Sequence, residues 1–303
     1  MHMLKALIFV LLALAAPLLH AAEQTPQTTF SEAEDAVTAL GAALQQNDRD
    51  AFLDIFGRQY EEELMGGDEA NAAESLRIVG RAMQTYTDLV DDGSNRKTLV
   101  IGSENWPLPF PLVKEKGRWR FDTAAGIEEA VNRRVGRNEL NAIDVCRAYL
   151  DAQIEYASAD RDGDEVPEYA QVLLSTEGNK DGLYWEAAEG EEISPFGPLI
   201  ADAQGYLEGG DPGDPFKGYY FKVIPRQGAN APGGRYDYII NGNMIAGFGL
   251  IAFPAAYGNS GVMTFQCNHQ GEVYEKDLGP DGDLIAAAID EYDPDGSWNL
   301  VEQ

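Results

Sequence analysis

The apolar residues of this chain change period three times. From Ser31 to Val90 they recur every three or four positions, and from Lys97 to Phe121 they alternate or fall in short runs. The same order returns further on, helical from Asn138 and strand-like from Gly218 to Lys276. Ser31 and Glu34 have the spacing of a capping box, with Val37, Leu40 and Leu44 as the stripe behind it. Asn47 and Asp48 turn the chain. Phe52, Ile55 and Phe56 give a second short helix that stops at Gly57, and Leu76, Val79, Met83, Tyr86 and Val90 share one side of a third. Lys97 to Ile101 then reads as a strand, Trp106 to Pro111 as a Pro-punctuated extended segment, and Leu112 to Lys114 as the start of another strand. Lys116-Gly117 forms the turn before the return strand Arg118 to Phe121. Helices followed by a small antiparallel meander predict an α+β domain over residues 31–126.

Ala124 to Gly136 reads as the link between two halves. A long helix is expected from Asn138 or Glu139 to about Ala157, with Ile143, Cys146, Leu150 and Ile154 on one face. An acidic loop, a short helix around Tyr169 to Leu174 and a Gly/Asp-rich stretch follow. Strands are expected at Gly218 to Pro225, Tyr236 to Asn241, Gly247 to Phe253, Val262 to Asn268 and Glu272 to Lys276, the last two joined by a turn at Asn268-His269-Gln270-Gly271. Residues 127–303 thus predict a second α+β domain, a long helix packed on an antiparallel sheet.

Ahead of both domains, Lys5 precedes an apolar run from Ala6 to Leu19, and His20, Ala21 and Ala22 end it in small residues. This is the layout of a signal peptide over residues 1–22, cut after Ala21 or Ala22 and followed by a flexible leader over residues 23–30. The run is too short for a lasting membrane span. The expected location is periplasmic or secreted. Export changes the chemistry available, because two of the three histidines leave with the signal and only His269 remains. A Ser–His–Asp triad or a His/Cys zinc site would have almost nothing to draw on. The net charge is −29, one unit more negative without Lys5. Phosphate backbones and anionic lipid are repelled by such a surface, so nucleic-acid binding is not expected, whereas cations such as Ca²⁺ are favoured.

Several constellations carry possible chemistry. Cys146 and Cys267 both face inward in the expected helix and strand, either as a disulfide or as two buried thiols that pack as small hydrophobes. Asp160, Asp162 and Asp164 alternate around Gly163 with Glu168 beyond, an acidic solvated turn after the helix or, as the alternative, a partial match to a Ca²⁺-binding loop. Asp277, Asp281 and Asp283 form a second acidic group, in which Asp283 is placed to cap a helix from Leu284 to Glu291. Arg133, Arg134 and Arg137 concentrate positive charge in an acidic chain, either to pair with carboxylates of the other domain or to hold an anionic ligand. Asp181, Glu186 and Glu189 lie near Trp185, the residue types a glycosidase needs. His269, in a turn, is expected to be exposed and silent.

The helices, the polar turn at residues 47–49 and the strand pair VKEKGRWRFD (113–122) resemble domains of the nuclear-transport-factor-2-like group, which implies a cone holding a ligand or serving as an interaction module. The helix segment RAYLDAQIEYA (147–157) with GFGLIAFPAAYGNSGVMTFQCNHQGEVY (247–274) resembles the globular domain of pilins and type II secretion pseudopilins. In those proteins the leading helix is apolar and builds a filament; here it is internal and begins with Arg137, Asn138 and Glu139. The pseudopilin resemblance also implies a Ca²⁺ site near the last hairpin. Across nearly all of the chain, ENWPLPFPLV (104–113), DGLYW (181–185), SPFGPLIA (194–201), GYYFKVI (218–224) and APGGRYDYII (231–240) resemble the bacterial exported domain-of-unknown-function 2950 family, which implies a compartment and no activity. The expected function is a non-catalytic binding or scaffold protein of the bacterial envelope, acting on an envelope protein or small ligand. The alternatives are a hydrolase of envelope glycans or peptides using Asp181 and Glu186, and a small-molecule carrier using an apolar cavity in the N-terminal cone.

Overall fold

The computed structural model describes residues 26–66, 69–161, 163–188, 190–197 and 214–302, without the side chains of residues 69–71. The expected signal peptide lies outside the described residues. The fold is α+β, in two compact units, Met1–Ile127 and Glu128–Gln303. Among the described residues no helix is long and apolar enough to cross a membrane.

In the first unit, α1 (Ala33–Gln46), α2 (Arg49–Phe56), α3 (Glu61–Met65) and α4 (Glu69–Thr85) precede β1 (Thr87–Asp91), β2 (Arg96–Ile101), β3 (Trp106–Pro107), β4 (Leu112–Glu115) and β5 (Arg118–Phe121). The strands form one antiparallel sheet in the order β1-β2-β4-β5, with β3 paired to β2. The capping box of α1 falls one residue later than the sequence suggested, between Glu32 and Asp35. Asn47 takes the left-handed conformation at φ 52° and ends α1, and the Asp48 carboxylate accepts from Ala51 N at 3.0 Å and starts α2. Lys116 and Gly117, both at positive φ, make the two-residue turn whose twist suits the strands it joins. Phe56 stacks on Phe121 at 4.9 Å and meets Phe110 edge-on at 5.0 Å, in a core shared with Leu40, Leu53, Leu99, Ile101 and Leu112.

Two expectations change here. Residues 26–30 are not a loose leader: Phe30 exchanges backbone hydrogen bonds with Trp119, and Gln27 Nε2 donates to the carbonyls of Ile55 and Phe121 at 2.9 and 2.8 Å. Tyr86 and Val90 do not extend the third helix. The β-branched and aromatic run Thr85-Tyr86-Thr87 leaves the helix, and β1 pairs with β2 along five positions.

The largest difference is α5 (Thr123–Tyr156), which begins where the sequence suggested a link. Gly126, Asn132 and Gly136 weaken the local pattern, but Asp122 supplies the start: its carbonyl accepts from Gly126 N at 2.9 Å and its carboxylate from Ala125 N at 3.4 Å. Glu129 and Arg133 then pair one turn apart at 2.7 Å.

In the second unit the short β6 (Val172–Leu174) pairs in parallel with β7 (Gly182–Tyr184), so Tyr169 to Leu174 is not helical. β8 (Tyr219–Ile224), β9 (Arg226–Gln227), β10 (Tyr236–Asp237), β11 (Ile239–Ile240), β12 (Asn243–Met244), β13 (Gly249–Pro254), β14 (Met263–Asn268), β15 (Val273–Asp277), α6 (Gly282–Ala288) and β16 (Asn299–Leu300) follow. The main sheet is antiparallel in the order β16-β15-β14-β13-β8. Every residue of β13 is buried, because both faces of this strand are covered. Leu250, Ala252, Phe265 and Cys267 face the α5 side, while Ile224, Ile251 and Phe253 face Ala286 of α6 and Tyr292. α5 lies along the sheet. Glu139 Oε1 accepts from the amides of Val262 and Met263 at 2.9 and 3.1 Å, and Tyr149 Oη donates to the Gly249 carbonyl at 3.2 Å. Its inward face carries Ala142, Cys146, Tyr149, Gln153 and Tyr156, while Ile154, expected inward, is 58 % exposed.

A Cβ on Gly126 would lie 2.0 Å from Cδ1 of Phe110, whose ring is held against Phe56. Gly126→Ala is expected to destabilise the protein by roughly 1–3 kcal/mol through overpacking, although alanine is the better helix former. Urea unfolding of the variant beside the parent measures this; an unchanged or raised midpoint would contradict it.

Candidate functional site

The first unit carries an apolar recess of about 150 Å³ where the end of α1, the start of α2, Met65 and α4 meet. The stripe that packs these helices forms its walls: Leu44 from α1, Phe52 from α2, Met65 from α3 and Leu76 from α4, with Ala43 and Ala73 leaving the space that a longer side chain would fill. Gly80 sits so close to α1 that a Cβ there would come within 3.2 Å of the Leu44 side chain. A second, more polar recess of about 210 Å³ shares Leu44, Asn47 and Arg77 with the first and extends to Arg81 and Gln84. The rim is charged but balanced. Arg49 pairs with Glu61 at 2.8 Å, and Glu74 bridges Arg77 and Arg81. These pairs are solvent-exposed and therefore cheap to rearrange. The sequence shows the wall residues as an ordinary core stripe; its one signal of a gap is the run of small residues, Ala43, Ala73 and Gly80, at the contact.

The residues singled out from the sequence are dispersed. Arg133 bonds Glu129 on its own helix, Arg134 bonds the side chain and carbonyl of Asn259, and Arg137 is exposed. In the acidic loop, Asp160 accepts from the amides of Gly163 and Glu165 at 2.7 and 3.0 Å, and Asp164 from Val166 N and Asn243 Nδ2. Glu168 accepts from Met244 N at 2.7 Å, and Asp162 lies outside the described residues. Their oxygens thus close turns and tie the loop to β12. Among the described residues no group of three or more His, Cys, Asp or Glu could hold a metal ion. Asp277 accepts from Tyr257 Oη and Gly279 N, and Asp283 stands in the first turn of α6 with Asp281 at the cap position.

Asp181 is taken up by Thr176, whose amide and hydroxyl both donate to it at 2.8 Å. Trp185 is buried, its indole donating to the Glu192 carbonyl at 3.0 Å, with Arg161 and Lys180 over its ring. It is a packing residue rather than a stacking platform; Glu189 lies outside the described residues. Cys146 and Cys267 are two free thiols in this structure, both buried in the core beneath α5, where they pack as small apolar groups.

His269 departs from expectation. It is half-buried in its turn, edge-on to Tyr238 at 5.5 Å and near Phe248 at 6.0 Å, and its Nδ1 has no hydrogen-bond partner among the described residues. Burial pulls its pKa below the ordinary 6.5, and the Phe248 carbonyl opposes part of that. Among the described residues no carboxylate or hydroxyl bonds the ring, and its contacts are the Tyr238 and Phe248 rings in the β14–β15 turn.

The fold and site define a two-unit α+β protein with an apolar recess in its helical half. The chain belongs to the DUF2950 family, proteins of unknown function, which it matches over residues 27–301. No curated protein matches it and no solved structure does, so neither the pilin-like nor the nuclear-transport-factor-2-like resemblance has a solved structure behind it.

The His269 environment has a pH signature. With the folded pKa below the unfolded value near 6.5, the unfolded chain takes up the proton first. Stability is then expected to fall as pH drops from about 6.5 to the folded pKa and to lose this contribution to the slope below it. Glu192 and Asp295, both held below their ordinary values of 4.5 and 3.8, act in a lower window. His269→Gln should flatten the upper limb alone, as followed by denaturant midpoints between pH 7 and 5; an unaltered limb would refute the assignment.

Proposed function

We propose that the mature protein is an exported, non-catalytic binding protein of the bacterial envelope, and that its first unit seats an apolar group of a partner in the recess between α1, α2 and α4. The observation that carries this reading is the recess itself. Its volume of about 150 Å³ is well below the ≈300 Å³ at which small-molecule sites begin. It equals the size of an engineered apolar cavity that takes up benzene. That favours one side chain or ring of a partner over the larger cargo of a carrier. The exposed, balanced ion pairs on the rim give the partner polar contacts that cost little to form. Export is supported by Lys5 and the apolar run Ala6 to Leu19, and the charge of −29 is suited to a soluble surface that avoids anionic lipid.

Benzene added to methyl-labelled protein is expected to shift the methyl resonances of Met65, Leu44 and Leu76. Ala73→Trp, which plugs the mouth from an exposed position, should abolish the shifts while leaving the melting temperature within about 2 °C, as an exposed substitution does. In cells, a photocross-linking residue at Ala73 should trap a partner in the periplasmic fraction. Methyl resonances that do not move would remove the recess from the proposal, and an uncleaved chain recovered from the cytosol would remove export.

A further inference from the structure

The only two cysteines of the chain come from elements far apart in sequence and meet in one core. Two cross-links fix how α5 lies on the sheet. Glu139 binds the amides at the start of β14, and Tyr149 binds the Gly249 carbonyl, opposite Asn268 at the end of β14. α5 and β14 therefore run in the same direction from a shared anchor. From Glu139 to Cys146 the helix rises roughly 10 Å. From Met263 to Cys267 the strand advances roughly 13 Å. The two residues come level between the anchors, and both side chains point into the layer between helix and sheet, where they are 2 % and 3 % exposed. Both residues belong to the same core cluster, with Tyr149, Leu250 and Phe265 around them.

We propose that Cys146 and Cys267 form a disulfide that ties α5 to β14, and that it closes while the core assembles rather than afterwards. The chemistry sets the order. The thiolate is the nucleophile in thiol–disulfide exchange. In the folded core, burial and the neighbouring Cys146 push the Cys267 thiol well above its ordinary pKa, and both residues are almost wholly shielded from an oxidant in solution. The oxidant is a disulfide, either a small one such as oxidised glutathione or that of a protein oxidant. One cysteine thiolate attacks it, releases one thiolate and forms a mixed disulfide. The second cysteine thiolate attacks the protein sulfur of that intermediate and releases the other. The two cysteines lose two protons and two electrons, and the oxidant is reduced to two thiols. The bond closes a loop of about 120 residues, long enough for a large effect on the unfolded chain. The proposal rests on the second unit alone and stands or falls apart from the recess of the first.

The test uses the full mature chain, unfolded under reducing conditions and refolded with oxidised and reduced glutathione. Denaturing alkylation with iodoacetamide followed by intact mass is expected to show a chain 2 Da lighter with no alkylated cysteine. Its melting temperature should exceed that of chain refolded in dithiothreitol by roughly 5–10 °C. The Cys146→Ala/Cys267→Ala double variant should melt near the reduced parent in both buffers, which separates the bond from thiol packing. Oxidised glutathione added to the already folded, reduced protein should leave both thiols free until it is unfolded. Two alkylated cysteines, or glutathione on either one, after oxidative refolding would overturn the disulfide. Rapid closure in the folded protein would overturn the order of events.

Discussion

The second unit depends on one face of α5 being buried against β13 and β14. β13 has no exposed residue, so its alternate side chains need two covers: α5 on one side, and α6 with Tyr292 on the other. Full burial of an apolar side chain contributes roughly 1.5–3 kcal/mol relative to exposure, and Leu250, Phe265 and Phe248 obtain this only with the helix in place. On the α5 side the cover also carries the buried polar side chains Tyr149 and Gln153, and both are hydrogen-bonded. Gln153 exchanges two hydrogen bonds with Ala170 at 2.8 Å each, and its amide also donates to Tyr149 Oη. A buried glutamine without those partners would oppose the packing that the apolar residues favour. The network therefore fixes the one position of α5 in which both requirements are met, and it sets Cys146 level with Cys267.

Charge has little part in holding the fold together. Most ion pairs of this acidic chain lie at the surface, where each is worth little. The exception in exposure is Arg161, whose side chain is 6 % exposed, laid over Tyr156 and Trp185 and paired with Glu192 at 3.0 Å. It works as a packing residue with a charged tip. The acidic loop behaves in the same way, its carboxylates spent on backbone amides that would otherwise lack partners. The arrangement separates the roles. Apolar burial and local caps set the shape, and the excess negative charge remains on the outside, where it governs what the surface repels.

The first unit shows how a gap arises without any polar signal. Gly80 lets α4 approach Leu44 of α1 closely, and beside that contact Ala43 and Ala73 leave a hollow next to Phe52 and Met65 that no described side chain fills. A larger residue at position 73 would close it.

The chain's period and caps determined much by themselves. Leu40 and Leu44, the Asn47-Asp48 turn, Lys116-Gly117, the apolar run of β13 and the spacing-two residues Met263, Phe265 and Cys267 of β14 gave the α+β class, because these signals act within a few residues. What they could not reach depended on contacts distant in sequence. The N-terminal half of α5 lacks a clean stripe, Val90 was drawn into a strand by β2 while Tyr86 falls between helix and strand, and residues 26–30 are ordered by Trp119 and Phe121. His269 and Trp185 acquired their packing from neighbours that only the fold brings near. The recess belongs to the same class: composition names its wall residues, but whether those walls touch or stand apart is decided by helix positions, and helix positions are set by burial summed over the whole unit.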